Sequence, residues 1–391
     1  MMQTLIELYD ERPLENVLSP QVFMPERVVY LCPHAVSKDE HAKKVIRRYL
    51  KTKGFEGEIR FFGADMYDTA DMLKALTEIT DNCPGAVLDI TGGTDQALFA
   101  SGVLSARYGT PAFTYSRKHN RFYSVHEAPF GREMDCTISL SVEDCFVMAG
   151  GAVKRGRVDN AVLGRYMKYY DPFFELFLKY RREWTALIGW MQRASAPSGG
   201  KISLTVDSPA SVKGDRGMIR IDFDVLCALQ DLGFLTDLSF PGGDSVRFTF
   251  KDEQIRFWLR DVGSVLETYV YKGCLDTGLF DDVCTSVVVD WEGDLRQGNI
   301  TNELDVMASK GIMPVFISCK TGEIRTEALN ELAILRDRFG GRIARAAVVS
   351  SSKCQLITRH RAHELDIDVI DLEDLKNGRL GARLASLSRP L

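Results

Sequence analysis

No stretch of the sequence approaches the ~18 consecutive apolar residues of a membrane-crossing helix. Nor is there an excess of one charge: 49 Lys and Arg stand against 54 Asp and Glu, a net charge of -5 over 391 residues. The chain as a whole is no polycation, so a nucleic-acid site has to be a local basic patch on an acidic average. Its nine cysteines are an odd number, with no CxxC pair and no His/Cys cluster at zinc spacing. That excludes a disulfide scaffold and leaves buried, reduced thiols as the expectation. The opening MMQTLIELYDERP brings charge within a few residues and lacks the apolar core of a secretory leader. A cytoplasmic protein with no membrane partner is expected.

What is present is ordinary globular material, 45% apolar and 26% charged, with length for two or three domains of ~150 residues. Residues 1–135 alternate strand and helix patterns. Apolar strands are expected at 4–8, 28–31, 58–62 and 86–90, with helices at 38–51, 68–79 and 95–108. Such alternation predicts a Rossmann-like α/β domain with a mostly parallel sheet. Residues 136–253 differ in texture. An aromatic-rich helical stretch at 165–191 is expected to break at Asp171-Pro172. The segment 195–200 (SAPSGG) reads as a linker, and a helix at 223–233 followed by a hairpin at 236–250 suggests a small α+β, winged-helix-like connector. From 254 to 391 a third, α/β domain is expected. It has a long helix at 254–272, strands at 285–290, 302–308 and 313–320, a helix at 325–339 and a strand at 345–350.

In the first domain, Thr91-Gly92-Gly93-Thr94 follows a buried strand and opens a helix. Two glycines allow close backbone approach, and the free amides of a helix start favour phosphate. The motif lacks the spacing of a dinucleotide fingerprint or a Walker loop, so a tight strand-to-helix turn is the alternative. Ligands of doubly wound sheets gather beyond the carboxyl ends of the strands. That brings in the loop after the first strand, where Arg12 could meet a phosphate and Asn16 a base edge.

In the last domain, NELDV at 302–306 is followed by FISCK at 316–320. Period-2 alternation puts Glu303 and Asp305 on one strand face, and Ser318 and Lys320 on one face of the next. If the two strands form a hairpin, a carboxylate and an ammonium meet, with Glu267 contributed by the preceding helix. Hard divalent cations such as Mg²⁺ or Mn²⁺ use such carboxylates together with phosphate oxygens. A surface salt bridge is the plainer reading. Residues 336–361 hold seven basic residues (Arg336, Arg338, Arg342, Arg345, Lys353, Arg359, Arg361) and one acid, Asp337. That is either a phosphate-tracking surface or a solvated helix end.

Together TLIELYDERPLENVL, DITGGT at 89–94, LETYVY at 266–271, and NELDV with ISCK resemble the CRISPR-associated effectors of Card/Can type. These join a CARF sensor domain to a PD-(D/E)xK, restriction-endonuclease-like domain. The resemblance implies a homodimer that binds cyclic oligoadenylate, most specifically cyclic tetra-adenylate, as allosteric activator in type III CRISPR antiviral defence. It implies metal-dependent cleavage of DNA, RNA or both, with Mn²⁺ or Mg²⁺. Carried over residue by residue, Asp10, Arg12, Asn16, Thr91, Gly92, Gly93 and Thr94 would hold the ligand. Asp305, Lys320 and Glu267 would be the nuclease residues. Where the family has an acid two residues before the lysine, this chain has Ser318. Some members of the wider fold place that acid on the following helix, where Glu327 and Glu331 share a face. Glu327, nearer the lysine strand, is the expected replacement, joining Asp305 and the Cys319 carbonyl as metal ligands. The alternative is a ligand-responsive nucleic-acid-binding regulator with an inactive nuclease-like domain. A nucleotide-metabolising enzyme acting at the TGGT loop is a minor third reading.

Overall fold

The computed structural model describes residues 2–154, 160–196, 203–215, 217–294 and 301–389. The first domain is a seven-stranded sheet in the order β3-β2-β1-β4-β5-β6-β7. Its strands are β1 (Thr4–Leu8), β2 (Arg27–Pro33), β3 (Glu58–Ala64), β4 (Val87–Asp89), β5 (Ala112–Ser116), β6 (Arg121–His126) and β7 (Glu133–Asp135). The first five run parallel and the last two turn back antiparallel. Thr69–Asn82 and Asp95–Tyr108 are helices whose starts are set by the side chains of Asp68 and Thr94, which accept amides of the first turn. Order reversal between β1 and β4 puts the loops after them side by side, the usual crevice of a doubly wound sheet.

Strand β8 (Ala152–Lys154) lies within the stretch expected to be connector, yet it pairs antiparallel with the C-terminal sheet. The connector itself contains β9 (Thr205–Pro209), the hairpin β10 (Ser211–Gly214) and β11 (Gly217–Arg220), and the hairpin β12 (Leu235–Ser239) and β13 (Ser245–Phe250). A three-stranded sheet β12-β13-β9 beside helix Phe223–Asp231 is the expected winged-helix-like arrangement. Pro172 does not break its helix. Met167–Lys179 runs through it because Tyr170, Phe173, Phe174 and Phe177 are all buried, and tertiary packing outweighs the lost hydrogen bond. From residue 197 the expected linker lies outside the described residues.

The C-terminal sheet has the order β18-β17-β16-β15-β14-β8. Here β14 is Asp282–Asp290, β15 Thr301–Lys310, β16 Met313–Lys320, β17 Arg345–Ser350 and β18 Ile367–Ile370. The long helix expected at 254–272 is two, Glu253–Trp258 and Ser264–Asp276, separated where Asp261 turns its carboxylate onto the Ser264 amide. Alternate residues of this sheet enter different cores. Val306, Ile317 and Val349 pack with helix 264–276 and the aromatic helices of the connector. Met307, Phe316 and Val348 pack with helix Thr326–Phe339 and with part of the first domain. Helix 264–276 and helix 326–339 therefore cover opposite faces of one sheet. All nine cysteines are free, and no described helix is long and apolar enough to cross a membrane.

Candidate ligand pocket and nuclease site

The loops after β1 and β4 are tied to each other through Asp10. Its carboxylate accepts the Arg12 amide at 2.9 Å, the Arg12 guanidinium at 2.8 and 2.7 Å, and the Gly93 amide at 3.1 Å. Partial burial pushes the Asp10 carboxyl up, but the bonds from Arg12 and Gly93 outweigh it and hold it below the usual range. Only glycines fit this approach. A Cβ on Gly92 would stand 3.0 Å from the Asp10 Cβ, and Gly93 has φ +91° with Leu8 packed against it. Thr94 caps helix 95–108 through Ala97 N at 3.2 Å, and the Thr91 hydroxyl accepts Tyr115 N at 2.8 Å.

A cavity of about 1050 Å³ opens beside these loops, lined by Asp10, Arg12, Gly93 and Thr94 among others. Thr91 and Gly92 lie behind it, shaping the turn. Asn16 does not face it as a base reader. It is buried and its amide is spent on the Asp10 amide (2.9 Å) and carbonyl (2.7 Å), so it fixes the loop instead. The sequence reading missed one wall of the cavity, made by Pro33, His34, Met66 and the 84%-exposed Tyr67. These residues follow β2 and β3, so the doubly wound topology was the signal that could have found them.

Below the pocket sits a buried acid pair. Glu7 of β1 lies between Tyr30 of β2 and Asp89 of β4 in register. Asp89 accepts the Thr91 amide at 2.7 Å and the Ser19 hydroxyl. Burial pushes Asp89 up to about 6, against those bonds, and holds Glu7 well above the ordinary carboxylate value, with the Asp89 charge adding to it.

In the C-terminal domain β15 and β16 do form a hairpin, with Val306 opposite Ile317. Asp305, the residue before Val306, meets Lys320, three residues beyond Ile317, at 3.5 Å. The same oxygen, Asp305 Oδ2, accepts the Cys319 amide at 2.6 Å and the Ser318 hydroxyl at 3.0 Å. Oδ1 carries no bond among the described residues. Glu267, from helix 264–276, is pushed up to about 9 by burial and by the charges of Asp305, Asp261 and Glu303, with Lys320 opposing. Three acids predicted from the sequence, Glu267, Glu303 and Asp305, thus share one electrostatic site with Lys320.

Residues 252–385 match the family model of the Card1-like endonuclease domain. Two solved structures share the fold over nearly the whole chain. One is protein VC1899 from Vibrio cholerae, 18% identical, with a TM-score of 0.74 over 98% of this chain and 97% of that one. The other is Can2 from Sulfobacillus thermosulfidooxidans, solved in complex with cyclic tetra-adenylate. It is 18% identical, with a TM-score of 0.71 over 99% of both chains. No curated protein matches. The expected fold class, a Rossmann-like α/β domain with a mostly parallel sheet, a small α+β connector and a C-terminal α/β domain, is borne out.

Both acids expected to stand in for Ser318 lie on the helix that follows the lysine strand. Helix 326–339 turns Leu329, Leu332, Leu335 and Phe339 into the core on the face opposite helix 264–276. Glu327 is exposed in its first turn and pairs with nothing among the described residues. Glu331 accepts the Asn302 amide at 2.7 Å. Neither joins Asp305, and no group of three or more His, Cys, Asp or Glu among the described residues is placed to hold a metal ion. The basic run is also mostly neutralised. Arg336, Arg345, Lys353, Arg359 and Arg361 pair with Asp337, Asp368, Glu373, Asp371 and Glu364. The Arg342 side chain lies outside the described part, and Arg338 has no acidic partner among the described residues.

Proposed function

We propose that this chain is an endonuclease activated by cyclic tetra-adenylate in type III CRISPR antiviral defence. It works as a homodimer and hydrolyses phosphodiester bonds of DNA, RNA or both with Mn²⁺ or Mg²⁺. The observation that carries this reading is the Asp305–Lys320 pair with Glu267 beside it, in a domain that matches the Card1-like endonuclease model. The sensor-side cavity supports the ligand half, as does the shared fold with Can2, which was solved with cyclic tetra-adenylate. A symmetric ring suits a two-fold axis, where each subunit offers the same loops. Phe99 and Tyr108, exposed on helix 95–108 of the sensor domain, support a partner surface there.

The donor chemistry fits a hard divalent cation. Asp305, Glu267 and Glu303 are oxygen donors; burial first, and then the neighbouring carboxylates, raise Glu267, and a dication would relieve both. Asp305 Oδ1, Glu267 and the Cys319 carbonyl would hold it. A cation bound there lowers the pKa of a water and steadies charge on the scissile phosphate. Ser318 and the Cys319 amide fix Asp305 by Oδ2, which leaves Oδ1 without a bond among the described residues. Lys320 supplies a positive charge that meets a phosphate oxygen and orients the attacking water.

The regulator reading would use helix 223–231 for duplex recognition. That helix and its cap carry Asp222, Asp224 and Asp231 and no Lys or Arg, the wrong sign for DNA. Cleavage assays on plasmid DNA and on single-stranded DNA and RNA, with and without cyclic tetra-adenylate, test the proposal. Ligand-stimulated cutting that Lys320→Ala removes while ligand binding persists is the expected result. Tight ligand binding with no cleavage of any substrate would favour the regulator.

A further inference from the structure

We propose that Arg338, a residue of the nuclease domain, binds a phosphate of the ligand held in the sensor pocket. The inference rests on the reading of that pocket as a cyclic oligoadenylate site. The pocket is not built by the sensor domain alone. Asp337 and Gly341, at the end of helix 326–339, form part of the wall of the 1050 Å³ cavity. Past Glu11, Arg12, Asp337 and Gly341 the space continues into a second cavity of about 200 Å³, whose lining includes Arg117 and Arg338.

The cations around this space differ in what they have left to offer. Arg12 is gripped by Asp10 at 2.8 and 2.7 Å. Arg117 pairs with the buried Glu15. Asp337, next to Arg338 in the chain, is held by Arg336 at 2.9 Å. Arg338 is exposed and its side chain makes no hydrogen bond or ion pair among the described residues; its guanidinium carbon stands 5.8 Å from the ring of Phe339. Phe339 is itself anchored in the core against Phe146 and Trp291, at 5.0 and 5.5 Å between ring centroids. A guanidinium next to an anchored ring, at a cavity edge where Asp10, Glu15 and Asp337 already have cations and only the exposed Glu11 has none among the described residues, is suited to an incoming anion. Its planar fork matches two phosphate oxygens, which a lysine cannot do.

The position of Arg338 gives this contact a consequence. Glu331 of the same helix holds Asn302 of β15, three residues before Asp305. A ligand gripped at Arg338 therefore acts on an element that also touches the strand of the nuclease site. It shifts the enzyme towards whichever arrangement of that helix completes the phosphate contact.

The test is calorimetric titration of the full-length protein with cyclic tetra-adenylate, in the unmodified chain, Arg338→Ala and Arg338→Lys. Loss of one charge-assisted contact is expected to weaken binding roughly tenfold to hundredfold in Arg338→Ala, with part recovered in Arg338→Lys. The side chain is exposed, so an unchanged melting temperature should accompany the loss. Unchanged affinity in Arg338→Ala, beside firm binding by the unmodified chain, overturns the role of Arg338 and leaves the pocket reading standing. No binding by the unmodified chain overturns both.

Discussion

Ser318 donates its hydroxyl to Asp305 Oδ2 at 3.0 Å, in the position where the nuclease pattern has an acid. The serine adds no charge to the site; it holds the charge already there. The Cys319 amide bonds the same oxygen at 2.6 Å, so Asp305 is fixed twice over.

Because of that second bond, Ser318→Ala should cost little. Removing one hydrogen bond to a carboxylate is worth about 1.5–3 kcal/mol when nothing compensates. Here the Cys319 amide remains, so a fall in cleavage rate of less than about tenfold is expected, against loss of cleavage in Asp305→Asn. Cleavage rates of the two variants under saturating ligand check this.

Glu267 and Glu327 make opposite predictions. Glu267 lies in the field of Asp305 and Glu303, whereas Glu327 is exposed and unpaired among the described residues. Glu267→Gln should lower ligand-stimulated cleavage by roughly a hundredfold or more, the scale of losing a group that acts on the reacting charge. Glu327→Gln should leave it within about twofold. The reverse pattern would favour Glu327, the acid expected from the sequence.

That expectation shows where sequence reasoning stops. The helix at 95–108 and the strand at 4–8 were legible because their periodicity and caps are local. The Asp305–Lys320 meeting was legible because a hairpin needs only two neighbouring strands and a register. Which sheet face the helix of Glu327 covers is not legible in the sequence. That is decided by the stripe Leu329, Leu332, Leu335 and Phe339 finding the core shared with the sensor domain. Strand β8, three residues long, and the cavity wall at Asp337 and Gly341 both depend on contacts made across domains, for which no local pattern exists. The ion pairs that neutralise the basic run likewise join residues up to 23 apart, as in Arg345–Asp368.

In the N-terminal domain, Asp10→Ala removes the joint between the two loops. It frees the Gly93 amide and the Arg12 guanidinium together. Ligand affinity should fall by roughly tenfold or more, since a bound loop geometry must now be ordered on binding. Gly93→Ala should be worse for folding, at about 1–3 kcal/mol, because φ +91° and the 2.8 Å approach to Leu8 both exclude a Cβ. Calorimetry measures the first and denaturant unfolding the second.

The Glu7–Asp89 pair predicts a pH dependence of stability. Both folded values are raised, Asp89 to about 6, so the native chain keeps protons that the unfolded chain gives up from about pH 4. The stabilisation is complete below the unfolded values and is lost as pH rises through the folded ones. Melting temperature should therefore fall as pH rises from about 4 through about 6 in the unmodified chain. In Glu7→Gln, which removes one of the two charges, it should fall less. Parallel melting curves for the two proteins would contradict the raised values.

The central claim is that ligand in the sensor domain turns on a nuclease centred on Asp305, Lys320 and Glu267. The most direct test is cleavage of supercoiled plasmid and of single-stranded DNA and RNA with Mn²⁺, with and without cyclic tetra-adenylate, by the unmodified chain and by Glu267→Gln. The account predicts cutting only when ligand is present, and its loss in Glu267→Gln while ligand binding is retained. Equal cutting with and without ligand, or undiminished cutting by Glu267→Gln, would contradict it.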